Sequence, residues 1–171
     1  EDPSTEILIM RWSIDGETTH QWLIGDKPPR KLFRWLKKPN RKIRAFNSMF
    51  EYCIWINVAV PKLNWPDMPL EMFYDAMANS CAKAFPANLE GAGEAMELPV
   101  TKDKEGKRLI QKFSVPRRAK SGPEFNDPKM HWEEFLRFDQ YCHIDVMTQI
   151  GVAEFVGPLS EFEWRVEFLQ K

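Results

Sequence analysis

The chain is poor in the residues that announce several common functions. Its three cysteines, Cys53, Cys81 and Cys142, are odd in number, far apart and without a CxxC pair. That excludes a disulfide scaffold and reads as reduced intracellular thiols, mostly core filler. Three histidines, His20, His131 and His143, belong to no His/Cys set with zinc-ligand spacing. There is no glycine-rich phosphate loop, no GxSxG and no Cys/His nucleophile pair. No apolar run approaches the roughly 20 residues needed to cross a bilayer, and no signal peptide is visible. A cytoplasmic protein without a membrane partner is the expectation. A charge excess is missing as well: 24 basic against 25 acidic residues leave a net charge of -1. Any surface for nucleic acid therefore has to be a local patch.

What remains is apolar and aromatic. A content of 43% apolar and 13% aromatic residues in 171 is enough for one packed domain. Residues 6–14 and 20–24 read as strands, and Asp15-Gly16 between them is a hairpin signal. Residues 30–38 form a short basic amphipathic helix with Leu32, Phe33, Trp35 and Leu36 on one face. Arg41 to Phe46 is a short strand, and Asn47 is placed to cap the next helix. Residues 48–60 are almost wholly apolar and predict that helix to be buried and ended by Pro61. Further helices are expected over 69–84, 88–97 and 101–113. The proline- and glycine-rich stretch 114–130 reads as a loop, the most mobile part of the chain. Residues 131–150 make the longest helix, and Ser160 to Glu163 is a capping box opening another. Strands first, one short strand later and helices around them predict an α/β domain with a small mixed sheet.

Two spacings carry chemistry. Asn47-Ser-Met-Phe-Glu51 and Tyr141-Cys-His-Ile-Asp145 each end in a carboxylate four residues after a polar partner, on the same face if the segment is helical. Acids gathered from distant parts of a chain are how proteins hold paired hard cations for phosphodiester hydrolysis. Glu51 also fits a first-turn acid favoured by the helix dipole, and Asp145 also fits a solvated acid. Lys102, Lys107, Arg108, Lys112 and Arg117 read equally as a track for a phosphate backbone or as a solvated helix face and loop.

Phe46 to Glu51 resembles the second exonuclease motif of the proofreading domains of family-A DNA polymerases, especially bacteriophage ones, and Tyr141 to Asp145 resembles their third. Residues 102–110, with Lys112-Phe113 and Pro116-Arg117, are similar to a stretch common in the phage members. The opening Glu1 to Leu8 resembles the segment that comes after the first motif there. The resemblance runs over essentially the whole chain. It implies a ribonuclease-H-like fold, a mixed sheet flanked by helices, and 3'-5' exonuclease chemistry with two Mg2+ ions, for which Mn2+ can substitute. By the resemblance Asp145 and Glu51 are metal ligands and Tyr141 aims the attacking water. Asn47 caps the Glu51 helix and can touch the terminal nucleotide, while Phe46 and Phe50 pack.

The family's first motif, an Asp-x-Glu on the central strand, has two candidates. Asp103-Lys-Glu105 lies in a charged helical run. Asp15-Gly-Glu17 is read as a hairpin loop, because the 31 residues from there to Asn47 leave too little room for the strands required. The expectation is that the first motif and its strand lie upstream of Glu1. Residues 1–157 would then be an N-terminally truncated exonuclease domain, and 158–171 the start of a helix leading to a polymerase domain. The fragment alone would bind metal poorly and cleave slowly. The implied partners are a single-stranded DNA 3' end and the polymerase domain of the same parent chain. Alternatives are a ribonuclease-D-like RNA exonuclease and a catalytically silent scaffold that binds nucleic acid.

Overall fold

In the computed structural model, which describes residues 3–99, 104–117 and 125–169, the first two apolar runs form the expected hairpin. β1 (Ile9–Ser13) and β2 (Thr19–Leu23) pair antiparallel, Ile9 opposite Leu23 and Ser13 opposite Thr19. Asp15 builds the turn. Its Oδ1 accepts the backbone N–H groups of Glu17 (2.9 Å) and Thr18 (2.8 Å) and the Ser13 hydroxyl (3.0 Å), and Gly16 takes a φ of +84°. These bonds hold the Asp15 carboxyl down at about 2, those from Thr18 and Glu17 foremost. Asp15 and Glu17 therefore sit in a turn, as the hairpin reading requires.

α1 (Arg30–Leu36) buries Leu32 and Leu36 and packs Phe33 and Trp35 against the same core. β3 (Ile43–Ala45) leads into α2 (Ser48–Ile54). The helix expected to stop at Pro61 does not. It widens into a π-helical segment at Trp55–Ala59 and continues as α3 (Val60–Leu63). Pro61 falls in the first turn of α3, after the widened segment, where a missing N–H is tolerated.

Residues 69–84 also depart from expectation. Instead of one helix they make a 3-10 turn (Leu70–Met72), a strand β4 (Phe73–Asp75) and α4 (Ala76–Ala82). Parallel pairing with β3 draws β4 out: Ile43 faces Phe73 and Ala45 faces Asp75. α5 (Leu89–Ala95) is capped by Asn88, whose side chain accepts from Gly91 N. α6 (Lys104–Ser114) comes next, then a 3-10 turn (Pro128–His131) capped by Asp127. α7 (Trp132–Val156) runs beyond the expected end at residue 150 and closes at Gly157, φ +67°. α8 (Glu161–Leu169) opens with the predicted capping box: Ser160 Oγ accepts Glu163 N, and Glu163 Oε2 accepts Ser160 N.

The α/β class is as expected. The single mixed sheet is not: among the described residues there are two separate two-stranded sheets, β1-β2 and β3-β4. Three cores support them. Trp22, Leu36, Trp55, Trp65 and Phe73 centre the first, under α1 and the π-helical segment. Leu23, Leu109, Phe113, Phe135 and Phe138 form the second between the hairpin, α6 and α7. Ala92, Met96, Val152 and Val156 lock α5 to α7. No described helix is long and apolar enough to cross a membrane.

Candidate active site

The two sheets flank a cleft of about 630 Å³, lined on one side by Met10 to Gly16 of the hairpin and on the other by Lys42 to Ala45 around β3. α7 contributes Val146, Gln149 and Ile150, and α2 contributes Glu51. Among the described residues, β1 pairs only with β2 and β3 only with β4. Backbone donors and acceptors on the remaining edges have no ladder partner. Three side-chain atoms of lining residues, Trp12 Nε1, Arg41 Nε and Glu51 Oε2, are buried and without a hydrogen-bond partner. Burial of unpaired polar atoms is costly, so three around one cleft mark it as a place that receives polar groups.

Glu51 is the chemical centre of this cleft. It lies in the first turn of α2 as a half-buried residue whose Oε2 is sealed from solvent. Burial raises its carboxyl to about 7, and the negative charge of Asp75 adds to the rise. The α2 N-terminus is organised by Asp75, not by Asn47. Asn47 adopts a left-handed conformation (φ 72°) and makes no side-chain cap, which corrects the capping role expected of it. Left-handed backbone suits Asn better than most residues. The Asp75 carboxylate accepts Asn47 N (3.0 Å), Ser48 N (3.2 Å) and Met77 N (2.8 Å), so one buried acid caps both α2 and α4. Phe46 N donates to Gln149 Oε1 (3.0 Å) and ties this corner to α7. Phe46 packs as expected, against the α5–α7 core. Phe50 does not: it is 61% exposed, because the inward face of this helix is taken by Ser48 and Trp55.

Tyr141 and Asp145 lie one turn apart on α7. Neither lines the cleft, although Val146, next to Asp145, does. The Tyr141 ring lies against Gly106 of α6, where an added Cβ would collide with the ring carbons. Asp145 and Asp139 flank Cys142, whose thiol is pushed up to about 12, chiefly by burial and then by those two charges. Asp139 itself is buried and ion-paired with Arg11 of β1, whose Nε donates to its Oδ1 at 2.6 Å. Thr19 Oγ1 meets His143 Nδ1 at 2.7 Å. These two contacts fix the hairpin along α7.

Hard divalent cations take oxygen ligands, and the partnerless Glu51 Oε2 fits that demand. Asp75 does not, since its carboxylate is occupied by backbone N–H groups. Among the described residues no three His, Cys, Asp or Glu side chains meet as a metal set. By itself Glu51 does not make a metal site.

The basic residues expected to form a phosphate track are mostly paired. Lys107 reaches Glu90 (3.4 Å), Arg108 reaches Glu134 (2.9 Å) and Glu105 (3.0 Å), and Lys112 pairs with Glu134. Hydrogen bonds from Lys112 and then Arg108 hold the Glu134 carboxyl down at about 2. Arg117 is exposed after α6, and Lys102 lies outside the described residues.

Sequence reasoning missed Asp75, Trp12 and Arg41. For Asp75 the signal was present: an Asp directly before Ala-Met-Ala is an N-cap pattern, hidden because the surrounding residues read as one continuous helix. Trp12 and Arg41 carry no local signal, because only the meeting of two sheets gives them a role.

Over 174 aligned positions the chain is 29% identical to the DNA polymerase of Bacillus phage SP02. The match takes in 95% of this chain and 25% of that protein, so the chain spans about a quarter of its relative's length. No family model matches the chain, and no solved structure matches it.

Proposed function

We propose that this chain is the greater part of a proofreading 3'-5' exonuclease domain in a DNA-directed DNA polymerase of bacteriophage type. The carrying observation is Glu51 Oε2, buried and partnerless beside a cleft between two open sheet edges. Supporting it are the similarity to a phage DNA polymerase and the order of the Asn47–Glu51 and Tyr141–Asp145 pairs.

In this reading one further strand pairs with the open edges of β1 and β3 along the floor of the cleft, turns two sheets into a single mixed one of ribonuclease-H-like form and leaves the mouth of the cleft open. Acids on that strand complete the ligand set that Glu51 and Asp145 begin. Two Mg2+ ions, or Mn2+, supply Lewis-acid polarisation of the phosphate and an ionised water when bound. The chain's own residues do the rest. Glu51 offers its free oxygen, and its tendency to hold a proton near neutrality is relieved when a cation arrives. Asp145 offers a second carboxylate from α7. The Tyr141 phenol, one turn earlier and held against Gly106, orients the attacking water without ionising. Asn47, exposed at the lip of α2, contacts the terminal nucleotide.

The test is a single-turnover assay on single-stranded DNA labelled at its 5' end, comparing the 171 residues with the polypeptide of the full parent reading frame. Slow metal-dependent shortening by the chain and rapid shortening by the parent are expected, with the parent's activity lost in both Glu51→Gln and Asp145→Asn. A parent whose exonuclease survives both substitutions overturns the assignment. So does brisk digestion by the isolated chain that Asp15→Ala abolishes, which would move the first motif into the hairpin.

A further inference from the structure

Residues 30–44, RKLFRWLKKPNRKIR, hold eight of the chain's 24 cations and no acid. The near-zero net charge of the molecule therefore conceals a strongly basic surface segment. Arg30, Lys31, Arg34, Lys37, Lys38, Lys42 and Arg44 are exposed. Among the described residues Arg30, Lys31, Arg34, Lys37 and Lys38 enter no ion pair. The contrast with α6 is sharp, since Lys107, Arg108 and Lys112 there are matched by Glu90, Glu105 and Glu134.

We infer that this segment, and not α6, is where the protein holds a nucleic-acid backbone on its way to the cleft. Three observations choose the partner. The band is continuous with the Glu51 cleft, because Arg41, Lys42 and Arg44 line it. Both guanidinium groups are steadied over aromatic rings, Arg41 over Trp35 (4.7 Å) and Arg44 over Tyr74 (5.6 Å). Arg41 Nε is buried without a hydrogen-bond partner, so this cleft-lining guanidinium keeps a donor that nothing in the described fold satisfies. A lipid surface fits less well: α1 buries Leu32 and Leu36 and packs Phe33 and Trp35 inward, which leaves no apolar face to enter a bilayer. Next to the band, Lys37, Lys38 and Arg41 line a shallow depression of about 350 Å³ with Asp67 as the acid on its wall. A polyanion crossing this surface meets cations in succession from α1 to β3.

The inference rests on the nuclease reading for its direction toward the cleft, but its test needs no hydrolysis. Binding of a 5'-fluorescein single-stranded DNA oligonucleotide to the 171 residues is measured by anisotropy in EDTA over a range of salt. Arg34→Gln/Lys37→Gln/Lys38→Gln, which alters only exposed side chains and is checked for folding by circular dichroism, is expected to weaken binding at least tenfold. Its salt dependence should fall by about two in log–log slope, near 0.7 for each single-strand phosphate that is no longer neutralised. Lys107→Gln should bind as the unaltered chain does. Unchanged binding by the triple variant overturns the inference. So does a larger loss in Lys107→Gln, or sedimentation with phosphatidylserine vesicles without oligonucleotide binding. Band-dependent binding in a parent polypeptide that lacks exonuclease activity would sink the nuclease reading and leave this one standing.

Discussion

Glu51 shows how burial of one carboxyl makes stability depend on pH. Its carboxyl is raised from an ordinary 4.5 to about 7 because burial disfavours the ionised form. A group with a raised folded-state pKa contributes stability fully below the unfolded value and loses it as pH rises through the folded value. For Glu51 the window is pH 4.5 to about 7, and the swing is on the order of 3 kcal/mol from about 1.4 kcal/mol per unit. In EDTA, the thermal midpoint is expected to fall between about pH 5 and pH 8. Glu51→Gln should raise the midpoint at the higher pH and flatten that slope, which scanning calorimetry at the two pH values checks. Cys142 gives a second expectation at this scale. With its thiol pushed up to about 12, it should stay unreacted with iodoacetamide at about pH 8 while the exposed Cys81 is alkylated. Peptide mapping by mass spectrometry reads both sites, and alkylation of Cys142 in the folded chain would contradict its half-buried placement against the second core.

At the scale of elements, single residues decide how neighbours meet. Asp75 caps α2 and α4 at once, and removing its carboxylate frees three backbone N–H groups. Asp75→Ala is expected to cost about 2–4 kcal/mol in urea unfolding. Gly106 is where α6 yields to the Tyr141 ring. Gly106→Ala should push α6 and α7 apart at a cost of about 1–3 kcal/mol. On the proposed nuclease reading it should also lower turnover in the parent polypeptide, because Tyr141 and Asp145 share α7. The hairpin was legible because Asp15-Gly16 encodes its turn locally and alternation encodes its strands. The Glu51 and Asp145 helices were legible from spacing and apolar period. β4 was not, because Leu70 to Ala84 carries a helix-compatible pattern. Phe73 to Asp75 become a strand only by pairing with Ile43 to Ala45, a contact no local window contains. The π-helical segment at Trp55–Ala59 was hidden for the same reason: the bulk of Trp55 and its bond to Pro66 O are tertiary facts. The paired state of the α6 cations was equally invisible, since their acids come from other segments.

For the whole molecule, the arrangement of charge and the arrangement of sheets point to the same side. The cations of residues 30–44 run up to the cleft, while acids elsewhere cancel them in the total. Raising salt should therefore weaken oligonucleotide binding steeply despite a net charge of -1, as fluorescence anisotropy can show. The two sheets have a further consequence for anyone handling the protein. A strand edge with vacant backbone groups accepts whatever extended chain is near. In a concentrated solution the nearest one belongs to another copy, so β1 and β3 are the places where oligomers and eventually precipitate would begin.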